Sequence, residues 1–335
     1  MEKRTLGRSG LEVGVLALGT MNWGSDWMNS TPVDEKTARG LLDLALDSGV
    51  NLIDTADVYG RGAAETMLGR ILGKRRGKVL LATKLRWEME PGESASGGLS
   101  RKRVKAALEA SLKRLKTDHV DIYMPHAPDN RVPLEETLEA LAAAVKAGKV
   151  RALGCANFPG EQWRRALALS AAKGWPRFEF DQVEYSLVAR SADGDVLPVA
   201  GPEKVSVMAW SPLAGGYLTG KYLAPGRRPQ GRRQDPGKAF PPVDESRYGG
   251  AVRVLLETAK QEGTTPAAAA LAWVLSRPGV AAAVLGPSSL EQLREDLALK
   301  PLSARALGFL DKASVLCSQA SRSKGPDAPG TFVQL

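Results

Sequence analysis

The sequence predicts a (β/α)8 barrel, an α/β fold with extended loops at the C-terminal ends of its strands. Eight short apolar runs are typical of buried strands, and amphipathic helical segments lie between most of them. The early strands lack the GxGxxG turn that a Rossmann domain carries. Eight such units favour a closed barrel over an open doubly wound sheet. The runs are 13–19, 51–56, 78–84, 120–126, 149–155, 178–185, 205–210 and 280–286.

Helix signals separate these runs. Asp34 and Gly49 are suited to cap the two ends of the segment DEKTARGLLDLALDSG, and Ser100 is suited to begin the next long helix. The segments LEETLEALAAAVKAGK and SLEQLREDLALK repeat the pattern. We therefore assign residues 1–335 to one barrel domain, with a mobile basic loop at 221–243 and a C-terminal tail at 323–335.

Composition indicates an ordinary globular protein. The chain has 335 residues, of which 43% are hydrophobic and 25% charged. Its two cysteines, Cys155 and Cys317, form no disulfide framework, and no run approaches the length of a membrane span. We expect a soluble cytoplasmic protein without a membrane partner.

The net charge of +9 raises the possibility of nucleic-acid binding. Most basic residues are interleaved with glutamates on helical segments, which is typical of a solvated face. The segment from Lys221 to Lys238 is denser, because six positive residues and Asp235 give +5 in a Pro/Gly-rich stretch. A nucleic-acid binder would need stacking aromatics there, and Tyr222 is the only one. We expect no nucleic-acid partner.

Polar side chains stand where strands end, which is the active face of such a barrel. Asp54 ends the second run and Tyr59 follows it, while Lys84 and His126 end the third and fourth. Neighbouring strands would bring these four together. Asp54 and Lys84 could instead form a structural ion pair, and a packed core histidine is the alternative for His126.

A series of motifs follows one order along the chain: DTADVYG, ATK, the histidine of HAPD, GCANF, QVEYSLVAR, AWSPLAGGYLTGKY and LGPSSLEQLRED. The series resembles the aldo-keto reductase family, and the similarity runs from GRSGLEVGVLALGTM to about residue 300. The WSPLAGG stretch and the spacing of Ser288, Gln292 and Glu295 resemble the branch with bacterial aldehyde and ketone reductases and potassium-channel beta subunits. The resemblance implies an NADP-dependent barrel that reduces an aldehyde or ketone.

The chemistry of the four strand-end residues fits that reaction. Hydride delivered to a carbonyl leaves an alkoxide that needs a proton, and a tyrosine of pKa about 10 is a poor donor unless a cation lies beside it. Lys84 can be that cation, Asp54 can orient it, and His126 can polarise the carbonyl. The resemblance implies that these residues are the catalytic tetrad, with Tyr59 as general acid.

The resemblance also implies a site for NADPH. It assigns Asn157 and Gln182 to the nicotinamide amide, Trp210 to stacking on the ring, and Ser288 to the adenosine 2′-phosphate. Trp210 could instead fill the barrel mouth, and the basic loop is either a clasp over the dinucleotide or a solubilising tether. We assign no metal ligands. The predicted cofactor residues are Gly19, Thr20, Met21, Asp54, Asn157, Gln182, Trp210, Ser211, Pro212, Leu213, Gly215, Lys221, Gly286, Ser288, Gln292, Glu295 and Asp296.

Three positions depart from the family pattern. Ala156 replaces the serine that commonly precedes the asparagine of GxSN, which removes one hydrogen bond to the carboxamide. Asp296 stands where asparagine usually contacts adenine. Ser288 occupies a position that is arginine in some members, so preference for NADPH depends more on Lys221 and the arginines after it.

Aromatic residues and methionines near the strand ends suggest an apolar substrate pocket. We assign Trp23, Trp87, Met124 and His126 to it, with Trp27, Met28, Met89 and Phe158 nearby in sequence. Tryptophans that cap a loop core are the alternative. An NADPH-binding regulatory subunit of the channel-beta type, with little turnover, is the alternative function, and His126 favours the enzyme. The carbonyl compound and the oligomeric state are not indicated.

Overall fold

The computed structural model of the chain describes residues 1–26, 30–90, 92, 96–223, 235 and 239–319, with the backbone alone for 317–319. Most of the predicted basic loop and all of the predicted C-terminal tail lie outside these residues. The arginines at 227, 228, 232 and 233, together with Trp27 and Met28, also lie outside them.

Eight parallel strands close into one barrel, which confirms the predicted fold. Each strand pairs with the next in sequence, and the last pairs with the first. The strands are β3 (Leu16–Gly19), β4 (Leu52–Asp54), β5 (Leu80–Leu85), β6 (Val120–Pro125), β7 (Val150–Ala156), β8 (Phe178–Glu184), β9 (Ser206–Trp210) and β10 (Val280–Leu285). Adjacent strands therefore bring Asp54, Lys84 and the residue after β6 to the same end of the barrel.

A short hairpin closes the opposite end of the barrel. It consists of β1 (Lys3–Thr5) and β2 (Glu12–Gly14), which pair antiparallel. Leu6, Leu11 and Val13 are buried in one cluster with apolar residues from the barrel interior. Arg4 donates hydrogen bonds to the carbonyl oxygens of Leu275 and of Val280, which is the first residue of β10. The predicted run 13–19 is therefore divided between the hairpin and the first barrel strand.

Helices cover the outside of the barrel. They are α1 (Glu35–Asp47), α2 (Ala63–Leu72), α3 (Arg101–Leu115), α4 (Leu134–Lys146), α5 (Gly160–Lys173), α6 (Leu197–Glu203), α7 (Glu245–Gln261), α8 (Pro266–Leu275), α9 (Leu290–Leu297) and α10 (Ala304–Gln319). The predicted caps are confirmed at Asp34, which accepts from the Thr37 N–H, and at Ser100, which accepts from the Arg103 N–H. None of the helices in the described part of the chain has the length and apolarity to cross a membrane.

Candidate active site

The ends of β4 and β5 bring together three of the predicted catalytic side chains. The Lys84 Nζ atom donates to Asp54 Oδ2 at 2.5 Å, to the Thr55 carbonyl oxygen at 3.0 Å and to the Tyr59 hydroxyl at 3.3 Å. Lys84 is fully buried, and Asp54 and Tyr59 are nearly so. An ammonium group that contacts a carboxylate on one side and a phenol on the other therefore lies at the C-terminal mouth of the barrel.

The charge of this cluster is centred on Lys84. Burial lowers the pKa of Lys84, but attraction to Asp54 and Tyr59 outweighs burial, and the net effect raises its pKa above 10.5. The side chain is consequently an ammonium ion at neutral pH. A cation beside a phenol favours the phenolate, which makes the Tyr59 hydroxyl a better proton donor to a developing alkoxide.

His126 completes the cluster from the end of β6. Its ring meets the Tyr59 ring edge to face, with the centroids 5.6 Å apart, and lies 6.4 Å from the Trp87 ring. Burial and the nearby Lys84 ammonium hold the pKa of His126 well below 6.5, so the imidazole is neutral at neutral pH. A neutral imidazole still carries one N–H, which can donate to a carbonyl oxygen.

The predicted amide residues are joined to the catalytic cluster. Asn157 Nδ2 donates to the His126 carbonyl oxygen, and Trp210 Nε1 donates to Asn157 Oδ1, both at 2.9 Å. Gln182 Nε2 donates to Asp54 Oδ1 at 2.9 Å, so Asp54 is shared between Gln182 and Lys84. The sequence assigned Gln182 to the nicotinamide amide but did not indicate this contact with Asp54.

A second aromatic ring stacks on the Trp210 indole. The Phe240 ring lies parallel to the indole, within 3°, with the ring centroids 5.9 Å apart. The hydrogen bond from Nε1 to Asn157 fixes the orientation of the indole plane. Sequence reasoning missed Phe240 because it lies 30 residues after Trp210, beyond the basic segment.

The turn after β9 has an unusual backbone. Ser211 and Ala214 adopt positive φ angles of 49° and 50°, and Gly215 and Gly216 follow at 62° and 88°. Positive φ is costly for residues with a Cβ and persists where the surroundings require it, often at ligand sites. Turns of this kind direct backbone N–H groups toward an anion. This geometry is compatible with a pyrophosphate group beside the predicted cofactor residues Ser211, Leu213 and Gly215.

The last predicted phosphate residues lie around the beginning of α9. The cap of this helix is Ser289, one residue after the predicted Ser288. The Ser288 hydroxyl accepts from Asn22 Nδ2 at 3.2 Å, and its N–H donates to Gln292 Oε1 at 2.8 Å. Gly286 is exposed, and none of the described residues has an atom within 4 Å of the position that its Cβ would take. The chain therefore leaves space in front of this turn.

The remaining predicted cofactor residues vary in exposure. Thr20 is buried and bonds to the Asp54 carbonyl oxygen through both its N–H and its hydroxyl. A Cβ at Gly19 would lie 2.8 Å from the Leu285 oxygen, so packing explains that glycine. Burial and the neighbouring Glu295 raise the pKa of Asp296 to about 7. Met21, Leu213 and Glu295 are half-buried, Pro212 is buried, and Lys221 and Gln292 are exposed.

The predicted substrate residues do not form one exposed group. Trp87 is half-buried and lies beside His126. Trp23 and Met124 are fully buried, Trp23 in the core outside the barrel and Met124 in the barrel interior. Their burial favours packing as the role of these two residues and leaves Trp87 and His126 to meet a substrate.

Comparison with known proteins agrees with this geometry. The model of the aldo/keto reductase family matches residues 15–314 of the sequence. The chain belongs to the aldo/keto reductase family. Similar proteins are named as oxidoreductases in some organisms and as channel subunits in others.

Three relatives illustrate this range. The chain is 39% identical to "Uncharacterized oxidoreductase YrpG" of Bacillus subtilis over 310 residues, which cover 89% of this chain and 90% of the relative. It is 34% identical to "Protein tas" of Escherichia coli, with 89% and 92% covered. It is 32% identical to the "Putative voltage-gated potassium channel subunit beta" of Schizosaccharomyces pombe, with 92% and 89% covered. Relatives of similar identity therefore carry names from two functional classes.

Proposed function

We propose that this aldo/keto reductase is an NADPH-dependent enzyme that reduces an aldehyde or ketone to the alcohol. The observation that carries the proposal is the Lys84 ammonium, held between the Asp54 carboxylate and the Tyr59 hydroxyl at the barrel mouth. This arrangement supplies a polarised phenol at the point where a carbonyl oxygen would need a proton.

Each side chain has one task in the proposed reaction. When bound, NADPH supplies the hydride. The neutral His126 donates an N–H to the carbonyl oxygen and fixes its position. Tyr59 transfers its hydroxyl proton to the same oxygen as negative charge develops there, and Lys84 stabilises the phenolate that remains. Asp54 keeps Lys84 charged and oriented.

Several features of the chain fit a dinucleotide. Trp210 offers an indole face of fixed orientation for a nicotinamide ring. Asn157 and Gln182 provide amide groups beside it. The positive φ angles at Ser211 and from Ala214 to Gly216, together with the open space at Gly286, suit phosphate groups farther along.

The preference for NADPH over NADH is proposed from charge. Ser288 lies just before the cap of α9, where backbone N–H groups and the helix dipole favour an anion. Lys221 is exposed at the beginning of the segment that carries the arginines. These groups together would hold a 2′-phosphate.

A regulatory subunit of the channel-beta type is the second candidate function. The similarity to a protein named as such a subunit in Schizosaccharomyces pombe supports it. Such a subunit would bind NADPH and turn over little. The complete cluster of Asp54, Tyr59, Lys84 and His126 favours the enzyme.

Steady-state kinetics separate the two functions. The purified chain is mixed with NADPH and a panel of aliphatic and aromatic aldehydes and ketones, and loss of NADPH absorbance is followed. Multiple turnovers with at least one carbonyl class are expected. Tight NADPH binding with no consumption across the panel would contradict the enzyme and support the regulatory subunit. A Tyr59→Phe variant is the control for consumption by contaminants.

A further inference from the structure

The loop that carries Tyr59 is fastened to β5 on both sides of that residue. Two residues earlier, the Asp57 N–H donates to the Lys84 carbonyl oxygen at 3.0 Å. Six residues later, Glu65 Oε1 accepts from the Thr83 hydroxyl at 2.6 Å. The tyrosine loop thus contacts the backbone of Lys84 and the side chain of its neighbour.

Two arginines of α3 hold the same two acidic residues from the outside. Arg103 donates to Asp57 Oδ2 at 2.8 Å, and Arg114 donates to Glu65 Oε2 at 2.6 Å. The carboxylates are 1% and 0% exposed, and the arginine side chains are 12% and 23% exposed. The arginines lie about three helical turns apart, which places them on one face of α3.

The backbone between the two acidic residues is strained. Gly60, Arg61 and Gly62 have φ angles of 55°, 52° and 88°. Glycine adopts a positive φ without steric cost, whereas Arg61 does so at a cost and keeps this conformation only where the surroundings determine it. The Arg114 side chain packs against Gly62, because a Cβ there would lie 2.7 Å from Arg114 Cδ.

We propose that the ion pairs of Asp57 with Arg103 and of Glu65 with Arg114 are positioning pairs that hold Tyr59 against the Lys84 ammonium. In the described part of the chain, these four side chains form hydrogen bonds to one another, to Thr83 and to Ser111, none of which is a predicted cofactor residue. They act through Tyr59, so the inference rests on the proposed function for the use made of that tyrosine.

The charge state of the first pair depends on its arginine. Burial raises the pKa of Asp57 to about 7, Arg103 and Arg114 oppose the rise, and Glu65 adds to it. Removal of Arg103 would leave Asp57 protonated at neutral pH, and the pair would be lost. Lys84 and His126 contact the Tyr59 side chain directly, and Asp54 contacts the Lys84 ammonium.

The test weakens the first pair without leaving a buried charge. A double variant, Asp57→Asn with Arg103→Met, removes both charges together and avoids the cost of one unpaired partner. Arg101→Met is the matched control, because Arg101 pairs with Glu139 on the exposed surface of the same helix. Circular dichroism checks that both variants are folded. Arg103→Lys is the conservative variant, and its Tyr59 midpoint should lie closer to the parent value than that of the double variant.

The primary measurement is the ionisation of Tyr59 without turnover. Phenolate absorbance is titrated in each protein and in the same protein with Tyr59→Phe, and the difference isolates this tyrosine. In the double variant, the midpoint should rise by roughly one pH unit, because the phenol moves away from the ammonium. The alkaline limb of the pH profile of kcat should shift together with this midpoint, and NADPH affinity should stay within about twofold of the parent value. Arg101→Met should change none of these quantities.

The outcomes separate this inference from the proposed function. A folded double variant whose Tyr59 midpoint equals that of the parent would show that the pair of Asp57 with Arg103 serves stability alone and would overturn the inference. If the double variant does not fold, the same titration of the single variant Asp57→Asn decides, because it removes the charge pair and keeps the Arg103 side chain. An inactive parent would contradict the proposed function, whereas the absorbance titration would still test the positioning pairs.

Discussion

The buried pair of Lys84 and Asp54 should support both folding and proton transfer, and substitutions can separate the two. Lys84→Met leaves Asp54 buried with the Gln182 amide as its remaining side-chain partner among the described residues. Asp54→Asn leaves the ammonium with the Thr55 oxygen and the Tyr59 hydroxyl. The double variant removes both charges and keeps the volume of the site nearly constant.

The magnitude follows from the distance. Opposite charges 2.5 Å apart attract by about 7 kcal/mol at an effective dielectric constant of about 20, and desolvation offsets much of this. Removal of one partner leaves an unpaired buried charge, so each single variant should lose about 3–5 kcal/mol of unfolding free energy. The double variant leaves no unpaired buried charge, so it should lose less unfolding free energy than either single variant.

Urea denaturation followed by tryptophan fluorescence measures these free energies, and carbonyl reduction is assayed in parallel. Stability should recover in the double variant, but the rate should stay as low as in Lys84→Met because the ammonium beside Tyr59 is absent. If the losses of the single variants simply add, the two groups do not form a coupled pair. Recovery of the rate together with stability would refute the role of Lys84 in proton transfer.

Three other changes test the charge and the binding surfaces of the site. Because the pKa of His126 is held below 6.5, its protonation favours the unfolded chain, so the free energy of unfolding should fall as the pH drops through about 6.5. His126→Asn should reduce that fall, measured as urea midpoints at several pH values. Trp210→Ala should weaken NADPH binding about tenfold in fluorescence titrations, because base stacking is lost; unchanged affinity would exclude stacking on this indole. NADPH should bind at least about tenfold tighter than NADH. Alanine at the loop arginines should remove this difference in affinity, and high salt should reduce it. Equal affinities in the parent would contradict the 2′-phosphate site. Those arginines are Arg227, Arg228, Arg232 and Arg233.

The barrel could be predicted because the sequence signals for its strands are local. Each barrel strand is a short apolar run, and seven of the eight predicted runs agree with a strand within two residues at either end. Polar residues at the ends of neighbouring strands must converge once the barrel closes. The contact of Lys84 with Asp54 and Tyr59 was therefore predictable from the order of the strands alone.

The parts that sequence reasoning missed depend on tertiary contacts. The hairpin strands Lys3–Thr5 and Glu12–Gly14 contain charged residues and do not form apolar runs. The bond from Gln182 to Asp54 joins residues 128 positions apart, and the pair of Arg103 with Asp57 joins residues 46 apart. Nothing in the local sequence indicates which partner a buried charge or amide will meet.

In the proposed reaction Tyr59 donates the proton during carbonyl reduction, and Tyr59→Phe tests this role most directly. This variant removes the hydroxyl and keeps the ring that faces His126. The rate of reduction, measured in a single turnover with saturating NADPH, should fall by about 10² to 10⁴. NADPH affinity should remain at the parent value, since the proposed binding contacts are made by other residues. Reduction at nearly the parent rate would contradict the account and would leave His126 as the candidate donor.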